Sequence, residues 1–215
     1  MKISSKKYAR SYMPGYTLVE TVVTIGIFSI IMLGATTMLR EIFVTSTQQT
    51  KAINGVDQAR LVVFNFSNEL RNSTTANNGA AALNDASSSQ IILYTTFGSN
   101  SSTTVRRVRY YLSGTSLFKG IITPSGNPLT YNSASETVST VLTDVSNGTS
   151  TPIFYYYADT YAGTTSALTQ PVNITQVKFA KMNLLVKVQN IRTATTTYTI
   201  QAGGTLRSLK TNLGN

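Results

Sequence analysis

The chain has 215 residues, a formal net charge of +10, 12% charged residues and neither cysteine nor histidine. Disulfide staples, thiolate chemistry, the commonest zinc ligands and histidine-based acid–base or nucleophilic machinery are therefore excluded. The length suits one membrane helix and one globular domain of ordinary size, with a surface rich in Ser, Thr and Asn.

Residues 1–15 carry Lys2, Lys6, Lys7 and Arg10 and no acidic residue. Eighteen basic residues less these four leave fourteen against eight acidic ones, a net +6 for residues 16–215. Basic residues ahead of an apolar run keep the N-terminus cytoplasmic, so the chain beyond the run is expected outside.

Between Glu20 and Arg40 lie nineteen residues without a formal charge, twelve of them apolar and the rest Thr, Ser and Gly. A helix of that length covers roughly the 30 Å hydrocarbon thickness of a bilayer. A secretory signal is cleaved after its apolar region. Here the small residue suited to cleavage, Gly15, stands before it, in Pro14-Gly15-Tyr16-Thr17-Leu18-Val19-Glu20.

This segment resembles the processing site of type IV prepilins and type II secretion pseudopilins. The resemblance implies a prepilin peptidase that cuts after Gly15 on the cytoplasmic side and methylates the new N-terminus at Tyr16. It makes Glu20 the acidic residue at the fifth mature position. Tyr16 departs from the phenylalanine more often found there, while keeping aromatic character. An acid opening a membrane helix needs a counter-ion. The amine created at Tyr16 stands four residues away on the same helical face, and the amine of a neighbouring subunit would serve in a filament. A signal-anchor protein whose glutamate reaches interfacial water is the simpler alternative.

No proline occurs between Pro14 and Pro124, so a helix is expected from about Tyr16 to about Arg71, roughly 80 Å long. Residues 16–40 form its membrane half and residues 41–72 an amphipathic half. Ile53, Val56, Ala59, Arg60, Val63, Phe64, Phe66 and Leu70 are expected to face a sheet, with Lys51, Asp57, Gln58, Asn65, Asn68 and Glu69 between them. Gly26 and Gly34 weaken the helix; the family resemblance implies partial unwinding there on polymerisation, and close helix packing is the plainer reading.

Residues 73–215 read as a β-rich head. NSTTANNGAAALNDASSS at 72–89 reads as a surface loop. QIILYTTF at 90–97 and TVRRVRYYL at 104–112 read as strands, the second entering a tight hairpin at Ser113-Gly114. Residues 123–135, with Pro124, Gly126 and Pro128, are irregular. PIFYYYA at 152–158 is another strand. The apolar phase switches near Ala180, which predicts a β-bulge. TTTYTIQA at 195–202 reads as the antiparallel partner of the long strand before it, and Gly203-Gly204 as a bend. The order of RVRYYLSGTSLFKG, PIFYYY, a long strand and TLRSLKTN resembles the heads of J/W-type minor pilins and pseudopilins. The fold class expected is therefore α+β, the pilin fold: a long N-terminal helix packed on an antiparallel sheet.

Eight scattered acidic residues, no phosphate-binding glycine loop and no calcium-loop spacing give no active site, no cofactor and no metal site. Arg106, Arg107 and Arg109 beside Tyr110 and Tyr111 are the densest basic group. They are the candidate DNA contact, against the alternative of an exposed strand kept soluble by charge. The sequence thus predicts a structural, non-enzymatic minor pilin or pseudopilin, inserted in the membrane with its head outside, then part of a filament or the cell surface. Its partners would be the prepilin peptidase, other pilins or pseudopilins and the membrane. The alternative is a pilin-like DNA-uptake subunit.

Overall fold

A computed structural model describes residues 15–99, 104–148, 150–159, 161–188 and 195–206. Helix α1 runs from Leu18 to Arg71. Eight strands come after it: β1 Leu83–Ala86, β2 Gln90–Thr95, β3 Arg106–Ser113, β4 Ser116–Ile122, β5 Thr137–Leu142, β6 Phe154–Tyr157, β7 Phe179–Val188 and β8 Thr196–Thr205. The architecture is α+β, a long N-terminal helix with antiparallel sheets. Contacts divide the chain into residues 1–47 and 48–215.

In the first unit the helix is long and apolar enough to cross a membrane, with a mean hydropathy of 2.2 over its most apolar window. Its hydroxyl side chains bond back to its own backbone: Thr21 to the Leu18 carbonyl, Thr24 to Glu20, Ser29 to Ile25, Thr36 to Met32 and Thr37 to Gly34. Such local bonds satisfy each hydroxyl donor without water, which is the condition for carrying Thr and Ser into hydrocarbon.

In the second unit the helix buries Ala59, Val62, Val63, Phe66, Ser67, Glu69 and Leu70. This corrects the expected stripe. Ile53 and Phe64 are about 60% exposed and Val62 takes a core place. Residues two apart on a helix diverge by about 200°, so Phe64 and Phe66 cannot both face a sheet.

Strands β1 to β5 form a five-stranded sheet in chain order, and β6, β7 and β8 a three-stranded one. One core joins Phe66 and Leu70 of the helix to Leu93, Val108 and Leu117 of the first sheet and Phe154, Tyr156 and Met182 of the second. Leu112 opposes Leu117 and Ser113 opposes Ser116 across the β3–β4 hairpin. Gly114 begins its two-residue turn at φ 60, the conformation a glycine supplies at the first position of a type II′ turn.

The segment expected as a loop at 72–89 contains β1, paired to β2, because Leu83 and Ala86 supply two apolar side chains to the core. The expected bulge near Ala180 is absent: β7 pairs without a shift from Phe179 opposite Thr205 to Val188 opposite Thr196. The phase changes instead where Val177 ends a 3₁₀ turn at Ile174–Gln176, just before the strand. Gly203 and Gly204 do not bend the chain either, since both lie within β8. A Cβ at Gly203 would come within 2.6 Å of the Ala180 carbonyl oxygen, and one at Gly204 within 3.1 Å of the Ser67 carbonyl oxygen. Gly204 lets the helix lie directly on the strand, beside the bond that the Ser67 hydroxyl donates to the Gly203 carbonyl at 2.7 Å, whereas Gly203 leaves room for the Phe179 ring.

Candidate processing and assembly site

Gly15, Tyr16 and Thr17 precede the helix, exposed, with Tyr16 81% accessible. The Gly15–Tyr16 peptide bond thus lies in non-helical chain, the form a peptidase must engage. Thr17 caps the helix: its hydroxyl oxygen accepts the Glu20 amide at 3.3 Å. Thr17-Leu18-Val19-Glu20 has the spacing of a capping box, a local signal that the motif-based reading of this segment passed over. Glu20 stands exposed in the first turn, where a carboxylate opposes the positive end of the helix dipole. Lys2, Lys6, Lys7 and Arg10 lie outside the described residues.

In the head, Arg106, Arg107 and Arg109 do not present three free guanidinium groups. Arg106 donates to the Phe97 carbonyl at 2.5 Å. Arg109 donates to both carboxylate oxygens of Glu136, at 2.9 and 2.5 Å, and Arg107 lies 3.6 Å from the same carboxylate. The hydrogen bond to Glu136 comes first among the causes that raise the Arg109 pKa. Arg109 also stacks 4.1 Å over Tyr111, whose ring stacks on Phe118 at 5.3 Å. Glu136 reaches them across Gly120, where any Cβ would collide with its carboxylate. One acid thus engages two arginines on the outer face of the first sheet.

Sequence periodicity set Glu69 on the polar side of the helix, yet it is 1% exposed. Its carboxylate accepts from Lys119 Nζ at 2.5 Å and from the Tyr110 hydroxyl at 2.8 Å. Tyr110 is held well above its ordinary pKa, first by burial and then by the Glu69 charge. The legible signal was Lys119, which shares the strand parity of Leu117 and Ile121 and so points toward the helix. These groups have the geometry of a lock between helix and sheet.

A cleft of about 610 Å³ lies beside Gly55, lined by Lys51, Asp144 and Lys187 among others. Among the described residues that line it Asp144 is the one carboxylate, so acids do not converge among them. Among the described residues no cluster of three metal-ligating side chains occurs.

Residues 11–36 match the family model described as the prokaryotic N-terminal methylation motif. The match supports a type IV pilin-like, membrane-anchored protein, processed by a prepilin peptidase and associated with other pilins. No curated protein matches the chain.

Proposed function

We propose that the chain is a structural minor pilin or pseudopilin, cut between Gly15 and Tyr16, methylated at Tyr16 and assembled through its helix into or at the tip of a filament. The observation that carries this reading is a helix whose apolar side chains are left without cover: Phe28, Ile31, Leu39 and Phe43 in the first unit, and Ile53, Leu61 and Phe64 beside the head, are each more than half exposed. At 100° per residue Ile53, Leu61 and Phe64 fall within an arc of about 80° on one side of α1. Unpartnered apolar side chains on a helix that also carries a membrane-spanning segment suit the helix of a neighbouring pilin.

Glu20 is the specificity element of this reading, its carboxylate pairing with an N-terminal amine during assembly. An unpaired carboxylate in an apolar bundle is heavily penalised, so the pair would set axial register. N-terminal sequencing of protein from sheared filaments tests the processing step, with methylated Tyr16 expected as the first residue. A mature chain beginning at Met1, or cut beyond residue 39, would falsify the assignment. Comparable amounts of this protein and the dominant filament subunit would remove the minor role.

A further inference from the structure

We propose that the cleft beside Gly55 is a binding site for a phosphate ester of a small polyol, free or as a lipid headgroup. Its volume of about 610 Å³ falls within the roughly 300–1,000 Å³ usual for small-molecule sites. Helix α1 supplies Gln48 and Lys51, three positions apart and so on one face. The turns after β3 and β5 supply Thr115 and Asp144, and the end of β7 supplies Lys187.

The walls are tied together by backbone bonds. Val145 donates its amide to the Thr115 carbonyl at 2.9 Å, and Lys187 donates its amide to the Asp144 carbonyl at 2.8 Å. Asp144 is the one non-glycine residue among those described at positive φ, 59, a conformation that aspartate tolerates better than most residues. The side-chain donors, by contrast, are unengaged. Gln48 Nε2 is buried without a hydrogen-bond partner, and a buried amide donor beside a cleft is a place for an acceptor. Neither Lys51 nor Lys187 has an ion-pair partner among the described residues.

Two ammonium groups and an amide donor against one carboxylate select an anion. Lysines act as point charges, and the described lining residues include no arginine, whose planar fork would match a carboxylate. The set therefore suits the more symmetrical charge of a phosphate. Asp144, one of whose carboxylate oxygens accepts the Thr143 hydroxyl at 3.3 Å, keeps acceptor capacity for hydroxyl groups of the ligand. A phosphate carried on a hydroxylated carbon chain satisfies both ends of the cleft chemistry. The site lies within the unit from Gln48 onward and does not depend on the filament role, so the failure of either reading leaves the other standing.

The test is a titration of the full-length chain in neutral detergent with glycerol phosphate, followed by calorimetry and by the NMR signal of the Gln48 side-chain amide. The ester is expected to bind more tightly than inorganic phosphate and to move that signal, while neutral glycerol leaves it in place. Lys51→Gln combined with Lys187→Gln should weaken binding at least about tenfold. Asp144→Asn should narrow the preference for the ester over inorganic phosphate. Lys181→Gln should leave binding unchanged, because Lys181 stands on β7 about 20 Å from Lys187 at roughly 3.3 Å per residue step. A second arm replaces the ester by phosphatidylglycerol, against phosphatidylcholine, in the same detergent. Movement of the Gln48 signal by the lipid alone assigns the site to a headgroup, and movement by the soluble ester assigns it to a free one. No movement by either at millimolar ligand overturns the proposal. So do an equal loss in Lys181→Gln, an affinity for inorganic phosphate equal to that for the ester, and an unaltered affinity in the double lysine variant.

Discussion

Glu69 shows how a single residue sets the geometry of the head. With Lys119 and Tyr110 it joins the last turn of α1 to β3 and β4, at a depth where removing one partner strands the other charge. Glu69→Ala is expected to destabilise the head by about 3–5 kcal/mol, read from the denaturant midpoint by near-ultraviolet circular dichroism. Replacing Glu69 and Lys119 together by apolar residues of similar volume should cost much less, because no lone charge remains. The pH dependence comes from the tyrosines. Tyr110 and Tyr156 are both held well above their ordinary pKa, chiefly by burial. Their folded pKa values exceed the unfolded one, so the contribution is intact below about pH 10 and is lost as pH rises through the folded values. Unfolding measured across about pH 9–12 should show stability falling above about pH 10, by up to about 1.4 kcal/mol per pH unit for each tyrosine, and more gently in Tyr156→Phe.

At the scale of elements, α1 carries apolar side chains on two sides, one buried in the head and one exposed. Phe66 is fully buried, its ring 5.6 Å edge-on to Tyr110. Phe66→Ala should therefore cost about 3–5 kcal/mol. Phe64, 60% exposed, should cost less than about 0.5 kcal/mol on truncation. If the outer stripe meets a neighbouring helix, Phe64→Ala should instead lower incorporation into filaments, measured by mass spectrometry of sheared material. Helix and strand meet most closely at Gly204. Gly204→Val would push a branched side chain against the Ser67 carbonyl and Leu70, at a cost of about 1–3 kcal/mol or more in the same denaturant assay.

At the scale of the whole molecule, the unit from Gln48 to the C-terminus has its own continuous core, to which the helix contributes from Ala59 onward. A chain beginning at Thr45 is expected to be soluble, monomeric by gel filtration and mixed α/β by circular dichroism. Aggregation or loss of the sheet signal would show that residues 16–44 are needed for folding. Glu20→Ala belongs to this scale too. It should leave cleavage and the head unchanged and reduce recovery in filaments, and normal recovery would remove the carboxylate from the assembly step.

What the sequence determined by itself is what depends on neighbours in the chain. The uncharged run between Glu20 and Arg40 and the strands flanking Ser113-Gly114 are written in local composition and spacing, because helix length and hairpin turn are local properties. The tertiary structure alone decided what depends on residues far apart. Glu69 looked solvated until Lys119, fifty positions on, was brought beneath it, and the arginines of β3 looked free until Glu136 crossed Gly120 to reach them. Gly203 and Gly204 read as a bend because a glycine in a sequence signals backbone freedom. It does not record whether that freedom serves a turn or the approach of a helix packed from 136 residues earlier. Burial and pairing are set by the partner, and the partner's position is a property of the fold.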